Sequence, residues 1–421
     1  MRRKKIACKE PSQEKDSKKG ERTMGPEKEG VVIVSAVRTP VGRFGGSFKD
    51  TSAVELGTVA AKEALKRAGI AMDQVDEVIF GQARQAGNGP NPARQILYRT
   101  GIPEEKPAFT VNKACASGLK AIGLGYQSIL WGENGVVLAG GIENMSQIPF
   151  LLDGARWGYR LGDGVLVDAM YRDGLFCPLA EMIMGETAEI LAEKFHITRE
   201  EQDEYALESQ RKAKKAMEEG RFADEIVPVR VKDGKGNEAL VTEDEHPRPA
   251  TTLEKLAKLP PVFKKGGTVT AGNSSGLTDG AAALVLTTSS RAKDWGLNPI
   301  AEILGVASGA VDPREMGMGP VPSTNKLLKK NKISLSDIDL VEINEAFAAQ
   351  VLAVEKKLKW DKEKRNIKGG AIALGHPIGC TGAKITVTLL HSLGQENKEL
   401  GLATLCVSGG QGMSLLVKRL R

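Results

Sequence analysis

The chain is poor in the residues that staple or anchor a fold. Five cysteines across 421 residues make no disulfide framework, and no Cys-x-x-Cys pair is present to suggest a zinc ribbon. No apolar run approaches the ~18 residues of a membrane span, and no signal-peptide apolar region follows Met1. Histidine is scarce, with four in all, so each one carries weight in the search for a site. A strong charge of one sign is also missing. The net charge is +6, but ten Lys/Arg and six Asp/Glu within 1–29 place +4 there and leave +2 for the rest. A body this close to neutral argues against a nucleic-acid-binding protein. Mild local basicity suits a ligand that carries phosphate.

Hydrophobic residues make up 41% and charged residues 27% of the chain, values ordinary for a globular protein. The stretch 1–29 is rich in Lys and Glu, has almost no large apolar residue, and is expected to be a disordered basic tail. Its acidic residues fit a transit peptide poorly. A cytoplasmic location is the expectation.

The central stretch is Phe109-Thr-Val-Asn-Lys-Ala-Cys-Ala-Ser-Gly-Leu-Lys-Ala121. Phe109–Val111 reads as the end of a buried strand. Leu119, Ile122, Tyr126, Ile129 and Leu130 recur at helical spacing and predict a helix from Ser117 to about Leu130. Cys115 lies at the junction, where unpaired helix N–H groups and the helix dipole favour a thiolate of lowered pKa. A small thiol packed under a helix fits the same residues, and on this stretch alone both readings stay open.

Before this stretch, the sequence predicts a strand over Val31–Val37, a helix from Ser52 to Ala68 closed by Gly69, a strand over Val75–Phe80 and a helix over Pro92–Thr100. After it comes a strand Gly135–Ala139 that ends in Gly140-Gly141. From Gln147 to about Ser275 the pattern changes to short helices (Ala180–Phe195, Glu200–Glu219), a charged hairpin around Asp233-Gly234, and Pro-punctuated loops. This segment reads as an insertion over the core. The last part then echoes the first. Ile333–Ile343 resembles Ile70–Phe80, Thr381-Gly-Ala-Lys384 resembles Ser117-Gly-Leu-Lys120, and Ser408-Gly-Gly410 resembles Ala139-Gly-Gly141, at offsets of 263 to 269 residues. Matches in one order at nearly one offset argue for a duplicated αβ unit. Alternating strands and helices predict a mainly parallel sheet in each.

Four clusters with chemical potential fall at element ends: Cys115; Asn344-Glu-Ala-Phe347; Gly375-His-Pro-Ile-Gly-Cys-Thr-Gly382; and Cys406-Val-Ser-Gly-Gly-Gln-Gly412. His376 stands in a tight loop before a helix. The Gly-rich turn after Cys406 offers backbone N–H groups for an oxyanion. In this order, and over about Val31 to Leu420, these motifs resemble the thiolase family.

The resemblance implies an α/β thiolase fold: an N-terminal half over 30–146, a loop domain over 147–277 that holds coenzyme A, and a C-terminal half over 278–421, with mixed central sheets. It implies two acetyl-CoA giving acetoacetyl-CoA and CoA, with Cys115 as nucleophile, His376 as its activator and Cys406 as general base. Asn344 would hold a water at one oxyanion site, and the N–H groups of Cys115 and Ser408 would form the other. Met184, Arg248, Ala271, Ser275 and Leu277 match CoA-contact positions. CoA thioesters are substrates, and no separate cofactor or metal is implied. The partners implied are acetyl-CoA, acetoacetyl-CoA or a longer 3-ketoacyl-CoA, CoA, and further copies of the chain in a homodimer or homotetramer. Three departures stand out: Ser408 replaces a usual Gly, Lys255 a small polar residue, and Ile183 a His. The alternatives are a degradative thiolase for longer 3-ketoacyl-CoA and a catalytically silent acyl-CoA-binding subunit.

Overall fold

The computed structural model describes residues 29–232 and 236–420. The expected disordered tail therefore lies outside the described residues up to 28, as does the tip of the hairpin at 233–235. The hairpin's arms do pair, Val229–Lys232 against Glu238–Val241.

In the first half, β1 (Val31–Arg38), β2 (Glu77–Gly81), β3 (Ala108–Val111) and β4 (Val136–Asn144) alternate with α1 (Ala53–Ala68), α2 (Pro92–Thr100) and α3 (Ser117–Leu130). The insertion holds α4 (Met184–Lys194) and α5 (Arg199–Glu218). The chain returns through β5 (Thr278–Thr288) and continues as β6 (Ala301–Ala310), α6 (Pro320–Asn331), β7 (Leu340–Ile343), α7 (Ala348–Leu358), α8 (Ile378–Gln395), β8 (Leu400–Val407) and β9 (Gln411–Arg419). Local chemistry sets several of these boundaries. Ser52 and Glu55 close a capping box on α1, and Gly69 ends it at φ 68°, a left-handed conformation that glycine adopts without strain.

The strands form a ten-stranded mixed sheet, in the order β7-β8-β9-β6-β1-β5-β4-β2-β3, with the short strand Gly42–Arg43 on β5. Read outward from the centre, the halves match. β1-β5-β4 and β6-β9-β8 are antiparallel neighbours. β4-β2-β3 and β8-β7 are parallel, and a parallel bridge from Val341 to Arg365 stands where β3 stands in the first half. The halves meet where Val32 and Ile33 pair with Glu302 and Ala301.

The expectation of a mainly parallel sheet is thus corrected. β8 and β9 are joined by a three-residue turn, which permits only antiparallel pairing, and β5 enters between β1 and β4 from the insertion. The boundary expected at 278 does not follow the sheet either, because β5 pairs with two first-half strands. β4 does not stop at Gly140-Gly141 but runs to Asn144. Those glycines let neighbours approach: a Cβ on Gly140 would lie 2.3 Å from Ala282 O, and one on Gly141 2.7 Å from Gly379 O. β3 is an outer strand rather than a buried one, with Phe109 37% exposed. Ala180–Ile183 is not helical, since Met182-Ile183 pairs with Phe176-Cys177.

Alternate residues of each inner strand face opposite cores. Val32 and Val34 pack with α1 and α2. Val31 and Ile33 face the central layer, where α3 (Leu119, Ile122) and α8 (Ile385, Leu389) pack with Leu405 and Leu415 of the second half. α6 and α7 cover the far face. Within the central layer, a Cβ on Gly118 would lie 2.8 Å from Ala383 N, and one on Gly382 2.5 Å from Leu119 N. The two glycines are equivalent positions of the repeat. Among the described residues, no helix is long and apolar enough to cross a membrane.

Candidate active site

The segment between β3 and α3 is held by its own side chains. Asn112 Oδ1 accepts from Ala114 N (2.9 Å), while its Nδ2 donates to Ala83 O (3.0 Å). Ser117 Oγ accepts from Lys113 N and donates to Ala114 O. Ala114 is left at φ 44°, a strained conformation for a residue with a Cβ. Lys113 Nζ donates to Gln411 Oε1 at 2.7 Å, which ties this loop to the second half.

Cys115 is presented from this loop into a cavity of about 740 Å³. Burial pushes its thiol above the ordinary range, against the opposing pulls of Ser408 N–H, Arg84 and its own N–H. The lowered pKa expected from the helix end is therefore not what the folded chain produces. A sequence shows the helix terminus but not the second half that buries it.

His376 lies between the short helix Ala371–Leu374 and α8. Its Nδ1 is 2.6 Å from Thr381 Oγ1, which donates its own proton to Pro377 O. The hydroxyl can then only accept, so Nδ1 carries the proton and Nε2 is a bare base. Asn344 Nδ2 lies 3.4 Å from Nε2, and Asn344 Oδ1 is buried with no partner among the described residues. Burial, with Lys384 and Arg84, pushes the imidazole down to about 3, so it rests neutral.

Glu345 spends its carboxylate on Tyr205 Oη, Ser209 Oγ, Asn366 Nδ2 and Ile372 N, fixing the helix that leads to His376. Cys406 is the penultimate residue of β8, opposite Gly412. Burial and the neighbouring Cys115 push its thiol up. The turn beyond it puts its left-handed residues at Gly409 (φ 83°) and Gly410 (φ 78°), not at Ser408, so a side chain at 408 costs the backbone nothing.

Cys115, His376, Cys406 and Ser408 share the cavity wall with Met184, Arg248, Ala271, Ser275 and Leu277, and with Ile183 and Lys255. Asn344 stands behind His376 rather than on the wall. The segment 268–277 is locked in place. Glu189 accepts from Thr268 N and Val269 N, Asn273 Nδ2 donates to Asp203, and Ser275 N donates to Ala346 O. Two residues escaped the sequence reading. Glu143 accepts from Ala83 N, Arg84 N and Gly379 N, and burial pushes it up to about 7. Arg84 lines the cavity beside Cys115. An acid within the apolar run of β4 was the visible signal for the first, and nothing local marked the second.

The family described as "Thiolase, N-terminal domain" matches residues 31–290, and "Thiolase, C-terminal domain" matches 297–419. The chain belongs to the thiolase family. The acetyl-CoA acetyltransferase of Escherichia coli K12 is 55% identical over 390 residues, 92% of this chain and 99% of that protein. A probable acetyl-CoA acyltransferase of Staphylococcus aureus N315 is 51% identical over 389 residues, 92% of this chain and 99% of that protein. Among solved structures, the Bacillus anthracis acetyl-CoA acetyltransferase matches at TM-score 0.91 and 48% identity, covering 93% of this chain and 99% of that one. Human mitochondrial 3-ketoacyl-CoA thiolase in complex with CoA matches at 0.90 and 45%, covering 93% and 98%. This thiolase is an enzyme of the acyltransferase class, not a silent CoA-binding subunit.

Burial gives the pH response of the free thiolase a definite sign. With the Cys115 thiol above its ordinary range, the thiolate grows in only as pH rises past that range. The rate of iodoacetamide alkylation at Cys115, followed by peptide mass spectrometry, should still be climbing at pH 9. A plateau below pH 7 would mean that the helix end outweighs burial.

Proposed function

We propose that this thiolase condenses two acetyl-CoA into acetoacetyl-CoA and CoA, and catalyses the reverse thiolysis, through an acyl-enzyme on Cys115. The observation that carries this reading is the meeting of two thiols from opposite halves in one cavity, beside a neutral imidazole and the Ser408 N–H. His376 Nε2 takes the Cys115 proton and the sulfur attacks the thioester carbonyl. The tetrahedral oxyanion rests on the N–H groups of Cys115 and Ser408. As it collapses, the bond to CoA sulfur breaks and the leaving thiolate takes the Cys406 proton, which burial keeps in place until then. Cys406 is left as the base that removes a methyl proton from the second acetyl-CoA. The enolate oxygen is stabilised by His376 and a water held by Asn344. Its carbon attacks the acyl carbonyl, and Cys115 departs and recovers its proton from His376.

Coenzyme A would lie along Met184, Ala271, Ser275 and Leu277. Arg248 suits its phosphates, and the absence of any salt bridge to Arg248 among the described residues supports that role. The Lys255 ammonium donates to Ala250 O and adds a second cation. Two working thiols suit the reducing cytoplasm, and Cys115 and Cys406 are both free.

A second reading, thiolysis of longer 3-ketoacyl-CoA, draws support from the apolar wall of Met145, Leu175, Ile183, Met184 and Ile378. Assembly into a homodimer or homotetramer is supported by the hairpin of Phe150–Leu152 and Leu166–Asp168. Around it Trp157 is 87% and Leu161 98% exposed, more apolar surface than a monomer ordinarily leaves in one place.

Replacing the Cys406 thiol by a hydroxyl raises the base far above working pH but leaves Cys115 and His376 in place. Cys406→Ser should therefore still take label from acetyl-CoA on the Cys115 peptide while acetoacetyl-CoA formation falls by at least about 10²-fold. Normal condensation by this variant, or label on the Cys406 peptide in wild type, overturns the assignment. For chain length, thiolysis of acetoacetyl-CoA should outpace that of medium-chain 3-ketoacyl-CoA, and the reverse order would select the second reading. Sedimentation velocity at micromolar concentration should show a dimer or tetramer, and a single monomer boundary would exclude assembly through this hairpin.

A further inference from the structure

Arg84 follows β2 and lines the cavity with Cys115, Met145, Gly174 and Leu175. Its guanidinium is fixed by the chain on both sides. Nη2 donates to Gly174 O at 2.8 Å and Nη1 to Ala83 O at 3.3 Å. A Cβ on Gly174 would stand 3.0 Å from Nε, so the group packs directly against that glycine, and Nε is buried with no acceptor.

No salt bridge among the described residues includes Arg84. The carboxylate whose ionisation it favours, Glu143, is already occupied by the N–H groups of Ala83, Arg84 and Gly379. The neighbouring wall is apolar: Met145, Met170 and Ile378 cluster here, with Cys115, Leu175 and Leu277 packed against them. A cation held beside apolar groups with no carboxylate bonded to it is costly, and in the condensation described above it acts on Cys115 only through space. An acetyl group carries no charge, and an alkyl chain would desolvate the guanidinium without replacing its water. Each Nη still has a second N–H, and a guanidinium binds carboxylates through paired N–H bonds.

We infer that Arg84 is a specificity-determining residue that receives a carboxylate at the far end of the acyl group carried on Cys115. CoA thioesters of short dicarboxylic acids are then acyl donors alongside acetyl-CoA, an inference that rests on the acyl-enzyme reading above. The covalent step is unchanged. The Cys115 sulfur–acyl bond forms, the bond to CoA sulfur breaks, CoA leaves as its thiol, and the distal carboxylate stays ionised against Arg84.

The test compares succinyl-CoA with butyryl-CoA, donors of equal chain length that differ in the terminal carboxylate. Initial rates of Cys115 acylation are read by intact-protein and peptide mass spectrometry, with acetyl-CoA as reference. In wild type the succinyl-to-butyryl ratio should be at least about ten, the scale of discrimination that a polar partner in an apolar site provides. In Arg84→Leu the ratio should fall below one, and in Arg84→Lys, which keeps the cation, it should stay above one. The ratio is taken within each protein, so a smaller folded fraction cancels. A wild-type ratio at or below one, or an unchanged ratio in Arg84→Leu, overturns the role of Arg84 while leaving acetyl transfer standing. Failure of acetyl-CoA itself to label Cys115 in wild type brings down the acyl-enzyme reading and this inference with it.

Discussion

The close approach of α3 and α8 is the constraint on which the site depends. Both helices are buried between two sheet faces, and their first turns touch at Gly118 and Gly382, where any side chain would drive into the backbone opposite. The contact joins equivalent positions of a repeat, so it also brings equivalent helix starts together. Cys115 precedes one start and His376 the other. A thiol and an imidazole that lie far apart in sequence reach one cavity because two glycines let two backbones meet. Methyl groups at both positions would separate the helices and the reacting groups with them, since interiors packed at crystal density yield little.

Burying the chemistry in that central layer has an electrostatic price. It raises both thiols and lowers the imidazole, so the resting site carries no charge on any of the three. In the reaction proposed above, a thiolate would arise at neutral pH by transfer of a proton to His376, forming an ion pair in a medium where opposite charges attract strongly. The Ser408 N–H already faces the Cys115 sulfur, so in that reaction it would be aimed before the anion existed. Preorganised donors of this kind act on developing charge without having to reorient.

Much of this was legible in the residues themselves. α1 and α2 announce their limits through Ser52, Gly69 and Pro92, because capping is local chemistry. The repeat was legible from Thr381-Gly and Ser117-Gly, and the family from its four motif clusters. What stayed hidden depends on partners distant in sequence. The direction of β5 is set by the insertion it returns from. Gly140-Gly141 reads as a strand end until Phe80, Ala282 and Gly379 are known to crowd it. Glu143 and Arg84 acquire meaning only when the second half supplies Gly379 N and the insertion supplies Gly174 O. The Cys115 thiol was misjudged for the same reason, since burial is a property of the assembled halves.

The insertion is tied to this frame by isolated backbone bridges, Ile226 to Arg38 and Ser274 to Phe347, and by buried charge. Arg38, at the end of β1, bonds Glu225 at 2.7 Å and Asp244 at 2.7 Å and 2.9 Å, and Lys368 reaches the other oxygen of Glu225 at 3.3 Å. Although burial opposes its ionisation, Arg38 and Lys368 hold Glu225 down to about 2. Such buried pairs add little net stability, because desolvation offsets their attraction, but losing one partner leaves a bare charge inside the protein. Their value here is geometric. One carboxylate joins the first half, the insertion and the second half, and Lys368 leads through Gly369-Gly370 into the helix before His376. Glu345 repeats the device one layer closer, with α5 of the insertion supplying Tyr205 and Ser209 and the helix Ala371–Leu374 supplying Ile372 N. The insertion and the helix before His376 are thus held by the same two carboxylates, so two of the elements around the cavity are positioned by one network.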